Sequence, residues 1–230
     1  MTKIIKFNSI GIAMPNIKPS KSYIPQWYKN LKSYNNKNIF FEENGFVSKT
    51  VKSCMPFFDS LSTGYIAELW TDVYCSESEN EPHVSYKWQA GPPPIFLRSS
   101  KENEIPVPAG HYSDSFTWIS PFLLQLPKGY SAIITHPFNR YDLPFTTLTG
   151  IIDVENIFNT GKIPFFAKKG FTGVIESGTP IFQIIPFKRE SWKLQKEEYL
   201  LKLSEENELS GNRKFFGYYK NNWWHKKDFN

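Results

Sequence analysis

The sequence is poor in cysteine. Only Cys54 and Cys75 occur among its 230 residues. Two thiols are too few for a disulfide framework, and their spacing does not match a zinc site. Because cytosolic thiols stay reduced, we expect two buried free cysteines, with a disulfide between them as the alternative.

Long apolar runs are also absent. No window approaches the roughly 18 apolar residues that a membrane helix needs. The first residues, MTKIIKFNSIGIAMP, include a brief apolar stretch but no small-residue cleavage site, so no signal peptide is predicted. These absences predict a soluble cytoplasmic protein with no membrane partner.

Neither charge nor catalytic motifs define a class. The 27 basic and 22 acidic residues give a net charge of +5, far below the dense basic surface of a duplex-DNA binder. The sequence contains no G-x-S-x-G, P-loop, H-E-x-x-H or G-x-G-x-x-G motif. The enzyme classes that these motifs mark are therefore not indicated.

Aromatic residues, in contrast, make up 17% of the chain, and such flat side chains suit sheets. We predict one β-rich domain over residues 1–230. Residues 1–64 form an N-terminal wrap with short helices, at 25–31 and 55–61. Residues 65–189 form the β core, and residues 190–230 form an amphipathic helix followed by an aromatic, basic tail.

The β core is predicted from short apolar segments that turn signals separate. Strands are expected at 65–75, 83–89, 117–125, 130–135, 149–153, 162–167, 173–176 and 181–187. The Pro-rich stretches AGPPPIFLRSS and ENEIPVPAGHYSD are expected to be loops. Many short strands at this spacing predict a mainly β fold, either a sandwich or a barrel.

Part of this core resembles the dUTPase and dCTP deaminase superfamily over about residues 121–188. The resemblance is carried by Gly150, Ile151, Ile152 and Asp153, then Phe158 and Gly161, and later Gly178, Ile181 and Gln183. It implies a dUTPase-like β-barrel, a homo-oligomer, a nucleotide ligand held in part by Gln183, and Mg²⁺ if the nucleotide is hydrolysed.

The same resemblance implies a catalytic role for Asp153, since an acid there orients the attacking water or contacts the deoxyribose. Three parts of the family pattern are missing: THPFNRYD replaces the serine-rich phosphate loop, KIPFFA lacks the deaminase carboxylate, and the glycine-rich C-terminal arm is absent. The alternative is that Asp153 caps a turn through its side chain.

The whole chain also resembles a family of phage and bacterial proteins of about this length. The matching stretches are SCMPFFDSLSTGYIAELWTD, FTWISPFLLQLPKGYSAIITHPFNR and GTPIFQIIPFKR. No activity comes with this resemblance. It implies a phage-type or bacterial protein in the cytoplasm, which is the host cytoplasm if the protein is viral.

A second group of polar residues lies in GHYSDSF and THPFNRYD. His136 and Arg140 could clamp an anion, because a guanidinium forks onto phosphate or carboxylate and an imidazole adds a donor. The further ligand-binding candidates are His111, Asn139 and Asp142. One alternative is that Arg140 pairs with Asp142 or with a backbone carbonyl. Another is an iron(II) facial triad that includes His111 and Asp114, although their spacing is His-x-x-acid instead of the usual His-x-acid. No metal ligand is assigned.

The tail interleaves aromatic residues with lysines and Arg213. Such a pattern suits single-stranded nucleic acid, but aromatic tails also dock on their own domain or on a neighbouring subunit. Three functions follow from the sequence as hypotheses. They are a nucleotide-binding or nucleotide-hydrolysing protein, a non-enzymatic assembly or interaction protein, and an iron(II) oxygenase on a double-stranded β-helix.

Overall fold

A computed structural model describes residues 3–9, 17–34, 49–78, 81–86, 93–99, 106–120, 122–155, 161–212 and 218–230. The chain divides into two compact units. Unit 1 comprises Met1–Tyr23, Leu61–Arg189 and Phe229–Asn230, and unit 2 comprises Ile24–Ser60 and Glu190–Asp228. No helix among the described residues is long and apolar enough to cross a membrane.

Every strand of the described chain lies in unit 1. In chain order the strands are β1 Lys6–Ser9, β2 Ile17–Pro19, β3 Tyr65–Glu68, β4 Val73–Ser78, β5 Glu81–Tyr86, β6 Ile95–Ser99, β7 His111–Ile119, β8 Phe122–Gln125, β9 Tyr130–Thr135, β10 Phe145–Thr147, β11 Gly150–Ile152, β12 Lys162–Lys168, β13 Gly173–Ile175 and β14 Pro180–Lys188. A 3-10 turn, Ser20–Tyr23, follows β2.

The strands form four antiparallel sheets, in the orders β1-β8, β10-β12-β7-β6, β11-β9-β14-β3-β2 and β13-β4-β5. None of these sheets closes on itself within the described residues. The fold is therefore mainly β, as predicted, but the closed barrel is wrong. The chain passes from one sheet to another between β3 and β4 and between β7 and β8, and each sheet keeps its edges within the described residues.

One apolar core joins the four-stranded and five-stranded sheets. Trp118 on β7 is fully buried and stacks on Phe165 of β12, with 3.9 Å between ring centroids. Its indole N–H donates to the Thr147 hydroxyl of β10 at 3.1 Å, and that hydroxyl donates to the carbonyl of Ile181 on β14 at 2.7 Å. Aromatic side chains thus form the centre of this interior.

Gly64 is the glycine on which the fold depends most. Its φ of +72° is a left-handed conformation, and a Cβ there would lie 2.2 Å from the Ile184 carbonyl oxygen. Because glycine has no Cβ, it tolerates both the left-handed conformation and the close approach of this carbonyl oxygen. The position directs the chain into β3, which pairs with β14 from Tyr65 opposite Ile184.

Unit 2 contains α1 Gln26–Asn30, most of α2 Met55–Ser62, α3 Tyr199–Asn212 and α4 Tyr218–Asn222, with a 3-10 turn at Val51–Ser53. Tyr28 is the buried anchor of this unit, at 3% exposure. Its ring stacks with Phe57 at 5.8 Å, and the Lys52 ammonium lies 4.5 Å from its centroid. Phe57 lies on α2, one of the two helices predicted in the first third of the chain.

Two predicted strands are each divided in the structure. The segment 65–75 becomes β3 and β4, because Leu69 bonds through its backbone to Gly178 and Thr179 and the Asp72 carboxylate accepts the Ser177 N–H at 2.8 Å. The segment 117–125 becomes β7 and β8, with the Ser120 hydroxyl accepting the Phe122 N–H at 3.3 Å. Polar side chains at both breaks satisfy backbone groups that a continuous strand would pair.

The two predicted loops are wrong in part. β6 lies within the first and β7 begins inside the second, so His111 and Asp114 lie on a strand. The prolines of the first stretch come before β6 and do not interrupt it. The predicted strand 83–89 is observed as β5 as far as Tyr86, and residues 87–89 lie outside the described residues.

The C-terminal helix begins later than predicted. α3 starts at Tyr199, and the chain from Glu190 to Glu197 forms neither helix nor strand. Trp192 and Leu194 are 86% and 100% exposed. An amphipathic segment gains most of its helical stability from packing its apolar face, and these first apolar residues have no such packing.

Candidate functional site

The residue assigned a catalytic role from the sequence, Asp153, lies just after β11 on the surface of unit 1. The antiparallel order β11-β9-β14 brings Ser131 of β9 and Arg189, directly after β14, to its carboxylate. The Ser131 hydroxyl donates at 2.5 Å and Arg189 Nη1 donates at 3.1 Å. The hydrogen bond from Ser131, and then that from Arg189, lower the pKa of Asp153 below its ordinary value.

Arg189 also pairs with a second acid, Glu155, through Nη2. Glu155 Oε1 accepts the backbone N–H of Gly129 at 2.9 Å, and the carbonyl of Glu155 accepts from the Gln125 side chain at 3.3 Å. We call Ser131, Asp153, Glu155 and Arg189 the acid–arginine cluster. It holds an ionised carboxylate next to a hydroxyl and a guanidinium at a solvent-exposed position.

The turn that follows β9 contains most of the other candidates. Thr147 donates its backbone N–H to His136 Nδ1 at 3.3 Å, so this nitrogen carries no proton. Nε2 must then bear the hydrogen and donate to the Arg140 carbonyl at 3.0 Å. Burial, together with the charges of Lys168 and Arg140, lowers the pKa of His136 although the Arg140 carbonyl opposes it. His136 is therefore a neutral ring that fixes the turn.

Arg140 forms a two-pronged ion pair with Asp142. Its Nε lies 2.9 Å from Oδ1, and its Nη2 lies 2.8 Å from Oδ2 of the carboxylate. Burial raises the pKa of Asp142, but the hydrogen bonds and charge of Arg140 outweigh burial, and the net pKa is lowered. This is the Arg140–Asp142 pair that the sequence analysis gave as its alternative, and an anion would have to displace Asp142.

Asn139 and Gln183 shape the same turn. Asn139 has a φ of +59°, a left-handed conformation that asparagine tolerates better than most residues. Gln183, at 1% exposure, accepts the Phe138 N–H at 2.9 Å and donates to the Thr63 carbonyl at 2.6 Å. Hydrogen bonds join His136, Arg140 and Asp142 within the turn, and Gln183 connects the turn, through Phe138, to the residues before β3.

His111 lies apart from that network, on β7. Its Nδ1 faces the Ala109 carbonyl at 3.0 Å and therefore donates, while Nε2 accepts from the Thr146 hydroxyl at 2.9 Å. Both ring nitrogens are engaged by the chain itself. Over the described part of the chain, no three histidine, cysteine or acidic residues gather as a metal site.

The structure thus separates the candidates into three places: Asp153, the turn 136–142 with Gln183, and His111 on β7. Asp153 makes its hydrogen bonds to Ser131 and Arg189, and within the described residues none reaches the turn 136–142. Sequence reasoning missed Ser131, Glu155 and Arg189. A local sequence signal could have indicated Glu155 and Arg189. Arg189 directly follows the predicted strand 181–187 and Lys188, and Asp153 and Glu155 follow the apolar run that becomes β11.

One aromatic and one basic residue of the tail contact the same acid, Asp59, within unit 2. The Trp224 indole N–H donates to both carboxylate oxygens of Asp59, at 2.9 and 3.1 Å, and the Lys227 ammonium reaches the same acid at 2.6 Å. Within unit 1, Phe229 packs edge-on against Tyr65 at 5.8 Å, and Lys21 donates to the Asn230 side chain at 2.9 Å. Tyr219 and Trp223 stay 43% and 47% exposed.

No protein-family model matches this sequence, and a search of curated proteins found no match. The structure defines the chain as a mainly β protein with a small helical unit.

Proposed function

We propose that the chain is an interaction protein that assembles with a second copy of itself through the C-terminal part of unit 2. The observation that carries the proposal is the exposure of α3. Every side chain from Tyr199 to Asn207 is exposed. An isolated helix of 14 residues is marginal in water, so packing against another chain would supply the stability that this helix lacks.

The residues around the start of α3 provide an apolar surface for such packing. Leu201 is 72% exposed, Tyr199 60% and Leu200 52%, and they follow the even more exposed Trp192 and Leu194. We call residues 192–203 the C-terminal apolar segment. Large apolar side chains exposed together mark interaction surfaces, with aromatic residues enriched in them.

The charges along α3 favour a second copy as the partner. Lys202 lies near the beginning of the helix, and Glu205 and Glu206 follow one turn later. An antiparallel pair of α3 helices related by a two-fold axis would place Lys202 of each copy opposite these acids of the other. Such an interface is self-complementary.

The test is the oligomeric state of matched variants in sedimentation velocity. L194E/L201E adds two charges to the segment and is expected to give a monomer from an associated wild type. Y141E/I151E adds the same charges at the exposed Tyr141 and Ile151 of unit 1 and should leave association unchanged. A monomeric wild type, or an L194E/L201E variant that associates as strongly as wild type, contradicts the proposal.

Nucleotide binding around Asp153, in keeping with the dUTPase-like resemblance, is the second candidate. It is supported by an ionised, solvent-exposed carboxylate held between a hydroxyl and a guanidinium. Such an acid could orient water or hold Mg²⁺ beside a phosphate.

Thermal unfolding with dUTP or dCTP, each with Mg²⁺, tests this candidate. We expect a rise in Tm that D153N removes and that E176Q, at an exposed acid of the same unit, retains. A nucleotide-independent Tm, or equal shifts in all three proteins, contradicts nucleotide binding at Asp153.

A further inference from the structure

A groove of about 610 Å³ runs along the surface of unit 1, where the residues before and in β1 approach the turn between β8 and β9. Three lysines line it: Lys3, Lys6 and Lys128. β1 pairs with β8 so that Lys6 lies opposite Gln125. The Lys3 ammonium lies 5.7 Å from the ring centroid of Tyr130, two residues beyond Lys128. The pairing of β1 with β8 thus brings Lys128 to the same groove as Lys3 and Lys6, which are distant from it in sequence.

Among the residues that the structure describes, no acid neutralises the positive charge of these lysines. None of the three makes an ion pair or a hydrogen bond through its ammonium group there. Like charges that converge without a counter-charge repel one another, and an anionic ligand relieves that repulsion.

The acid at the edge of the groove does not cancel this charge. Glu155 lines the groove, but its carboxylate is paired with Arg189 and accepts the Gly129 N–H. Arg189 is shared by Glu155 and Asp153, so the acid–arginine cluster carries one net negative charge. The three lysines of the groove outweigh it. Ile4, which is 68% exposed, and Pro127 add an apolar wall, and the volume is in the range of small-ligand sites.

We propose that this groove binds the phosphate chain of a small polyphosphorylated ligand, of the nucleoside triphosphate class. Lysine is a compact point charge with three donors and suits phosphate oxygens. The apolar wall offers a surface for the less polar end of the ligand. This inference extends the second candidate above, because Glu155 connects the groove to Asp153 through Arg189.

The test measures binding of inorganic tripolyphosphate and, separately, of dUTP by calorimetry. Removing three cations in K3Q/K6Q/K128Q is expected to weaken tripolyphosphate binding by about tenfold or more. The control K29Q/K162Q/K169Q removes the same charge from exposed positions outside the groove and should change binding less than about threefold. The two ligands separate recognition of phosphate from recognition of the nucleoside.

The outcomes also separate this inference from nucleotide binding at Asp153. Tripolyphosphate binding that the groove variant loses and D153N retains supports the groove, provided that the groove variant also loses any dUTP binding that wild type shows. dUTP binding that the groove variant keeps overturns the groove and leaves nucleotide binding in place. Equal losses in the groove and control variants, or no tripolyphosphate binding by wild type, overturn the groove as a site.

Discussion

The backbone N–H of Phe138 donates a hydrogen bond of 2.9 Å to the side-chain oxygen of Gln183, which is 1% exposed. The amide nitrogen of the same side chain donates to the Thr63 carbonyl at 2.6 Å. One buried amide therefore satisfies backbone groups of two separate connections, the turn after β9 and the residues before β3. The resemblance gave Gln183 a ligand-binding role, and the structure gives it this bridging position.

Replacing Gln183 with leucine should destabilise the protein strongly. The variant leaves the Phe138 N–H and the Thr63 carbonyl without these partners in the interior, and we expect a loss of about 2–4 kcal/mol in the free energy of unfolding. Urea denaturation measures the loss. Q26L, at an exposed position, is the control and should change stability by less than about 0.5 kcal/mol. Equal effects of the two variants would contradict the bridging role.

Gly64→Ala should be costlier than alanine at another glycine of positive φ. Gly110 has a φ of +77° with nothing within 4 Å of its would-be Cβ, so G110A adds only backbone strain of about 1–2 kcal/mol. G64A adds the collision with the Ile184 carbonyl oxygen, which we expect to cost about 1–3 kcal/mol more. Thermal unfolding of both variants checks the difference, and similar Tm values would refute it.

The lowered pKa of His136 predicts a loss of stability in mild acid. The unfolded chain takes up a proton at this residue near its ordinary pKa of about 6.5, whereas the folded protein resists protonation until lower pH. Protonation therefore favours unfolding, and stability falls as the pH drops from 7 to 5. Tm measured across this range should fall less steeply in H136Q than in wild type. Parallel slopes would mean that His136 does not carry the effect.

The two cysteines should differ in reactivity. Cys54 is exposed, whereas burial raises the pKa of the Cys75 thiol to about 11. Because the thiolate is the reactive form, a disulfide-exchange reagent at pH 8 should label Cys54 quickly and Cys75 slowly until the protein unfolds. C54S removes the fast phase and C75S keeps it. Fast labelling in C54S would contradict the assignment.

Local sequence patterns predicted the strands that are short and bounded by turns. β9 has the predicted limits 130–135, β12 and β13 differ from their predictions by one residue at one end, and β14 is longer than predicted by one residue at each end. In these segments apolar residues and turn-forming glycines point to the same boundaries. Patterns failed where a polar side chain hydrogen-bonds a backbone group far away in the sequence and so ends a strand. Asp72 does this when its carboxylate accepts the Ser177 N–H.

The candidate site shows the same difference between what local patterns predict and what long-range contacts decide. A residue list could suggest Asp153, His136 and Arg140, but it could not show that Asp153 bonds Ser131 and Arg189 while His136 bonds the backbone of Arg140 and Thr147. These partners are fixed by strand register and turn geometry. The lysines of the groove were overlooked because Lys3 and Lys128 become neighbours only through the pairing of β1 with β8.

The sequence by itself determined that unit 1 would be built of short strands around an aromatic interior, because alternation, turn residues and side-chain shape act over a few neighbouring residues. Only the tertiary structure decided that the sheets stay open and that α3 remains exposed. Those outcomes depend on which strands pair and which faces find a partner, and these contacts join residues far apart in the chain.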